Sequence, residues 1–94
     1  MTMNARYIAG EAANAYDEAA GHPTSDVMPV GPKDRQGYQV LAEGDVLMAF
    51  ENLPSGLVRC TDTDGSERDL DEASAIAWAR EQGGAWGKAA TEAA

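Results

Sequence analysis

Ninety-four residues carrying sixteen acids against seven bases have a net charge of −9, which opposes direct binding to nucleic acid or to an anionic membrane surface, since both require clusters of Lys and Arg. A chain this short buries only about 60–65% of the surface its unfolded form exposes, so one domain with one modest core is expected over residues 1–94. The single cysteine, Cys60, leaves no internal disulfide, and no apolar run reaches the length of a signal-peptide core or a membrane span, so a soluble, cytoplasmic protein is the expectation.

Residues 4–20 are rich in helix formers, and Ile8, Ala12, Ala15, Tyr16 and Ala19 recur on one stripe at helical spacing. Gly21 and Pro23 stop this helix. Residues 21–37 hold three Pro and three Gly without a sustained period and read as an irregular loop, with Val27, Met28 and Val30 packing down on the fold or on a partner. Residues 38–70 read as a β-meander. Residues 38–43 and 45–51 are β-rich runs joined by a Glu43-Gly44 turn, NLPSG is a second turn, residues 57–61 form a third strand, and Asp64-Gly65 turns the chain into a short fourth segment. The first hairpin's register sets Leu41, Val46, Met48 and Phe50 on one face and Tyr38, Val40, Leu47 and Ala49 on the other. A sheet apolar on both sides is sandwiched between helices or between a helix and a second subunit, so a homodimer is expected.

A closing helix spans residues 70–82. Asp69 and Glu72 have capping-box spacing, Asp71 is the alternative cap, and Ala73, Ile76, Ala77 and Trp78 face the core. Gly83-Gly84 ends it, leaving residues 83–94 as a flexible tail anchored by Trp86. The fold class is therefore α+β: a small antiparallel meander of three to four strands packed by an N-terminal and a C-terminal helix. Phe50, Trp78, Leu47 and Ile76 supply most of the burial energy, at roughly 1.5–3 kcal/mol each.

Catalytic chemistry finds few candidates. His22 lies in a Gly-His-Pro turn and Cys60 sits mid-strand, where burial silences a thiol, so a Cys-His dyad is not expected, and the two fall short of a zinc ligand set. Asp62, Asp64 and Gly65 resemble the middle of a calcium loop, but placing Gly65 at the sixth position sets Cys60 at the first and Arg68 at the ninth, which costs a ligand and admits a cation. No phosphate-cradling glycine motif is present, and no cofactor, metal or enzymatic activity is expected.

The distribution of charge is more informative. Residues 43–72 hold nine acids against only Arg59 and Arg68, so seven of the nine net negative charges fall there. With Asp64-Gly65 as a two-residue turn, Asp62 faces Glu67 across the hairpin, a like-charge pair that costs the isolated fold some tenths of a kcal/mol. Acids alternating on a strand about 7 Å apart form a row of carboxylates that a positively charged groove accepts in place of phosphates. The expected partner-binding residues are Glu43, Asp45, Glu51, Asp62, Asp64, Glu67, Asp69 and Asp71.

An Ala-rich first helix, an acidic meander (GYQVLAEGDVLMAFEN…LVRCTDTDGSERD) and a closing acidic helix (DLDEASAIAWAREQ) resemble the small phage-encoded inhibitors of bacterial defence, and among these the anti-CRISPR proteins of the DNA-mimic kind. The likeness covers residues 37–82 as pattern and carries over no catalytic residue. It departs from the strongest mimics where Arg80 balances the closing helix after Glu72. It implies a non-enzymatic protein, in the cytoplasm of a bacterial host, that binds and inhibits a basic protein or ribonucleoprotein complex handling nucleic acid. The alternative is a small phage or mobile-element assembly subunit that homodimerises through an apolar sheet face, which needs an exposed patch of several hundred Å².

Overall fold

The computed structural model describes residues 5–32 and 36–92; the expected first helical position at residue 4 and the last two positions of the expected tail lie outside them. The element order is α1 (Ala5–Ala20), β1 (Ser25–Val30), β2 (Gly37–Ala42), β3 (Asp45–Asn52), β4 (Val58–Thr61), β5 (Glu67–Leu70) and α2 (Glu72–Glu92). The strands form one antiparallel sheet in chain order, β1-β2-β3-β4-β5. The α+β class is as the patterning predicts, with five strands rather than three to four.

The additional strand is β1, inside the segment expected to be an irregular loop. Its residues pair with β2 from Ser25↔Ala42 to Val30↔Gly37. Pro29 is one of the three prolines that make this segment read as a loop, but β1 lies at the sheet edge, where a residue without an N–H is tolerated and discourages further pairing. Asp17 fixes how the chain enters it: one carboxylate oxygen accepts hydrogen bonds from Thr24 N, Ser25 N and Ser25 Oγ at 3.2, 3.1 and 2.8 Å. A side chain in the last turn of α1 thereby docks the following strand.

Face assignment in the central hairpin also departs from strict alternation. Tyr38 pairs with Phe50 and Val40 with Met48, but Leu41 pairs with Val46, so Leu47 is the extra residue of a β-bulge. The bulge places Leu47 and Met48, adjacent in sequence, both in the core. Val40, Leu47, Met48 and Phe50 therefore share the helix side with Val58 and Cys60, while Leu41, Val46 and Ala49 belong to the opposite face. The two apolar faces predicted for the hairpin are thus a different partition of the same residues.

α1 packs on β1, β2 and β3, α2 packs on β4 and β5, and the two helices pack along each other, so both cover one side of the sheet. Phe50 meets Trp78 edge to face, with ring centroids 5.8 Å apart, and Arg68 lies 5.1 Å over the Trp78 ring. Between the helices the packing is by small residues. Ala75, Ala79, Gly83 and Gly87, one every four residues, form the buried stripe of α2. A Cβ on Gly83 would collide with the Ala12 carbonyl oxygen, and one on Gly87 would collide with the Tyr16 carbonyl oxygen and lie 2.8 Å from Ala19 Cβ. This close approach is why α2 continues through Gly83-Gly84, where a helix end was expected, and why residues up to Glu92 are helical rather than a tail. Trp86 and Ala90 from that last stretch pack against the core.

The helix contacts also fix polarity. Gly83 meets Ala12 and Gly87 meets Tyr16 and Ala20, so α1 and α2 run in the same direction. Ala5 N donates to Asn52 Oδ1 at 2.9 Å, placing the start of α1 at the end of the sheet where β3 finishes. Both helices therefore finish at the opposite end, beside the β2–β3 and β4–β5 turns. Arg80 bridges their flanks, 2.8 Å from Glu11 and 3.8 Å from Glu18.

Candidate partner-binding site

The eight acids expected to bind a partner occupy four separate settings. Asp71 is the N-cap of α2: its carboxylate accepts the Ser74 N–H at 2.8 Å, and that bond holds its pKa below the ordinary 3.8. Its task is structural.

Glu51, Glu67 and Asp69 lie on the uncovered sheet face around Arg59. The Arg59 guanidinium donates to Asp69 in a fork, Nε to Oδ1 at 3.0 Å and Nη2 to Oδ2 at 3.4 Å, and its Nε is 3.9 Å from Glu67 Oε1. Glu51 is the cross-strand partner of Arg59. The Asp69 hydrogen bond, then its charge, raises the Arg59 pKa further. One cation thus sits among three acids, and the carboxylates on β5 are engaged within the fold.

Asp62 and Asp64 belong to the β4–β5 turn, which is a three-residue loop rather than the expected two-residue one. Asp62 N donates to Ser66 O at 2.9 Å and Gly65 N to Asp62 O at 3.0 Å, with Gly65 at φ 87°, a type I turn closed by a left-handed glycine. Glu67 consequently pairs with Thr61, not with Asp62. The expected like-charge pair does not form. Asp62 accepts the Thr63 N–H at 2.7 Å, and Asp64 accepts Ser66 N–H and Oγ–H at 2.9 and 2.7 Å, which holds the Asp64 pKa below 3.8. Both acids shape the turn while remaining at the surface.

Glu43 and Asp45 differ. They flank Gly44 in a two-residue turn with positive φ at Glu43 (53°) and Gly44 (87°), the hairpin geometry whose twist suits the strands. Neither carboxylate engages a hydrogen bond or ion pair among the described residues. Their turn projects at the end where α1 and α2 finish, and neither helix has a basic residue in its last turn. A helix C-terminus has the field of roughly half a negative charge. Two such ends therefore reinforce the carboxylates of Glu43 and Asp45, with the Asp62 and Asp64 turn at the same end of the sheet.

A groove of about 260 Å³ opens between that turn and the helix ends, lined by Tyr16, Leu47, Trp86, Ala89, Glu43 and Asp45. A neighbouring hollow shares Tyr16, Glu43 and Ala90 and extends to His22. Sequence reasoning assigned Tyr16 to the core and Trp86 to a tail anchor. Only the register between two distant helices brings them beside the acidic turn, and no local motif encodes that.

The residues considered for nucleophilic chemistry stay apart. Cys60 is in the core on β4, where burial pushes its thiol up to about 11, and His22 is exposed in the turn after α1. Among the described residues no three His, Cys, Asp or Glu side chains gather as a metal site. No described helix is long and apolar enough to cross a membrane. Comparison with known protein families, with curated proteins and with solved structures finds no match to this chain.

Proposed function

We propose that this chain is a non-enzymatic, acidic interaction protein that binds a basic surface of a protein or ribonucleoprotein complex through the end of the fold where the helix C-termini meet the Glu43-Gly44-Asp45 turn. The observation that supports it is the setting of Glu43 and Asp45: two carboxylates without a hydrogen-bond or ion-pair partner among the described residues, placed against two helix ends with no basic residue in their last turns. Such a field attracts cationic surfaces and speeds their encounter. Its specific form, suggested by the resemblance to phage-encoded inhibitors, is blockade of a bacterial nucleic-acid-handling complex at the surface that would otherwise meet phosphates.

The test is capture of bacterial proteins by tagged wild-type chain and by Glu43→Lys/Asp45→Lys, at about 50 and about 300 mM salt, with duplex DNA as competitor. A nucleic-acid-binding complex that is displaced by DNA and by salt, and is lost with the reversed charges at a cost of about 2 kcal/mol or more, supports the proposal. Capture indifferent to all three refutes it. Asp62 and Glu67 are poorer reversal sites: a lysine at 67 would stand beside Arg59, and changing Asp62 would disturb the turn.

One observation favours the assembly reading. On the uncovered sheet face Met28 is 50% and Val46 43% exposed, with Leu41 and Ala49 half-buried nearby. A second copy docking there is detected by light scattering at about 100 μM, with Val46→Asp restoring the monomer; a monomer in the wild-type chain removes this reading.

A further inference from the structure

Resting on the reading of the chain as a binder of basic surfaces, the groove at the helix ends narrows what the partner must present. Its volume, about 260 Å³, lies below the roughly 300–1,000 Å³ usual for sites that enclose a whole small-molecule ligand. It suits one side chain. Its walls are aromatic and aliphatic, from Trp86, Tyr16 and Leu47, and its rim holds the Glu43 and Asp45 carboxylates.

Tyr16 supplies a second observation. It is only 3% exposed as a residue and lines both the groove and the adjoining hollow, and its hydroxyl, which is not sealed from solvent, makes no hydrogen bond among the described residues. It can therefore accept one from an incoming donor. The negative ends of two parallel helices point to this end of the molecule, so the favoured donor is a cation.

We propose that this groove receives one arginine side chain of the basic partner. A guanidinium is planar and weakly hydrated, so it stacks on an aromatic face while its N–H groups fork onto carboxylates. Trp86 provides the stacking face, Glu43 and Asp45 accept the fork, and the Tyr16 hydroxyl accepts a further N–H. The aliphatic part of the side chain lies along Leu47. The site thus reads shape as well as charge, and a partner is selected by an exposed arginine rather than by a diffuse positive surface.

The experiment is an amide-resolved NMR titration of the full chain with N-acetyl-L-argininamide, using N-acetyl-L-citrullinamide, its neutral near-isostere, as control. Saturable shifts are expected at the Trp86 indole N–H and at the amides of Glu43, Gly44 and Asp45, with the hairpin at residues 62–66 unmoved. Affinity for the arginine probe should fall about tenfold or more in Glu43→Gln/Asp45→Asn, an exposed pair whose loss leaves the fold intact, and about as much in Trp86→Leu. The citrulline probe should bind at least about tenfold more weakly than arginine. Equal binding of the two probes, undiminished affinity in Glu43→Gln/Asp45→Asn, or shifts that never saturate would overturn the proposal. Salt-sensitive, DNA-competed capture of the whole partner that is lost in Glu43→Gln/Asp45→Asn but persists in Trp86→Leu would remove the arginine pocket and leave the acidic-surface reading standing; capture that persists in both variants, or that is salt-independent, would remove both.

Discussion

Replacing Gly83 with alanine should destabilise the protein, although the same exchange in an isolated helix stabilises it. In a helix interior alanine is favoured over glycine by about 1 kcal/mol. At Gly83 the added methyl would collide with the Ala12 carbonyl oxygen and lie 3.1 Å from the Ala12 carbonyl carbon and 3.3 Å from its Cα, all backbone atoms that cannot rotate away. The helices must part. Overpacking of this kind costs about 1–3 kcal/mol, and separation also withdraws burial from Ala12, Ala75 and Ala79 at about 0.8 kcal/mol per methyl group uncovered. The expected net loss is about 1–2 kcal/mol, a fall in Tm of about 5–15 °C. The adjacent Gly84 and the distant Gly10 have nothing within 4 Å of such a methyl. Gly84→Ala and Gly10→Ala should each raise Tm by about 4–8 °C, through propensity alone. Circular dichroism melts of the three variants decide it: a Gly83→Ala protein that gains stability as Gly84→Ala does would mean that α2 does not press against α1 as described.

The Cys60 thiol, pushed up to about 11 by burial, should have a thiolate fraction at pH 8 on the order of one in a thousand and resist iodoacetamide until the protein is unfolded by denaturant; rapid alkylation of the native protein would contradict its place in the core. Asp71→Ala should cost about 1 kcal/mol by removing the α2 cap, read from urea unfolding, whereas Asp71→Asn should retain most of that stability. Asp64 and Asp71 are both held below 3.8 by hydrogen bonds. Their contribution is therefore present above that value and fades as pH falls through their lower folded values. Asp71→Asn should accordingly show a shallower loss of stability than wild type between about pH 4 and pH 2, and identical slopes would remove the linkage.

Local signals were legible where a single element decides them. The α1 helix with its buried Ile8, Ala12, Ala15 and Tyr16, the Glu43-Gly44 turn and the NLPSG turn are each set by neighbours in sequence, and each is present in the fold, whereas α2 is capped by Asp71, the alternative, because Asp69 of the expected capping box is held by Arg59. The misreadings arise where a distant element overrides a local preference. Pro29 weakens a strand, but an edge position and the Asp17 clamp give β1 its place. Gly83-Gly84 is a helix stop in isolation, but the approach of α1 makes glycine the residue that fits at position 83. The bulge at Leu47 reverses the face of every residue on one side of it, which no alternation pattern can reveal. The candidate site was half legible for the same reason: its carboxylates cluster in sequence, whereas Tyr16 and Trp86 reach it only through helix packing.

Charge density in sequence is a poor guide to function until each acid has been matched to the groups it touches. Asp71 caps α2, Asp62 and Asp64 shape a turn, and Glu67 and Asp69 surround Arg59. These acids have a reason to exist in a protein that binds nothing. Glu43 and Asp45 do not: no described group receives them, and the helix ends beside them raise the cost of negative charge rather than lowering it. On the proposed reading the reason lies outside the fold: a cationic partner would turn each of these unfavourable terms favourable at once. On the arginine proposal the groove lined by Trp86, Tyr16 and Leu47 would distinguish one cation from another, because a shallow acidic surface would attract Lys and Arg alike, whereas an aromatic face favours the planar guanidinium.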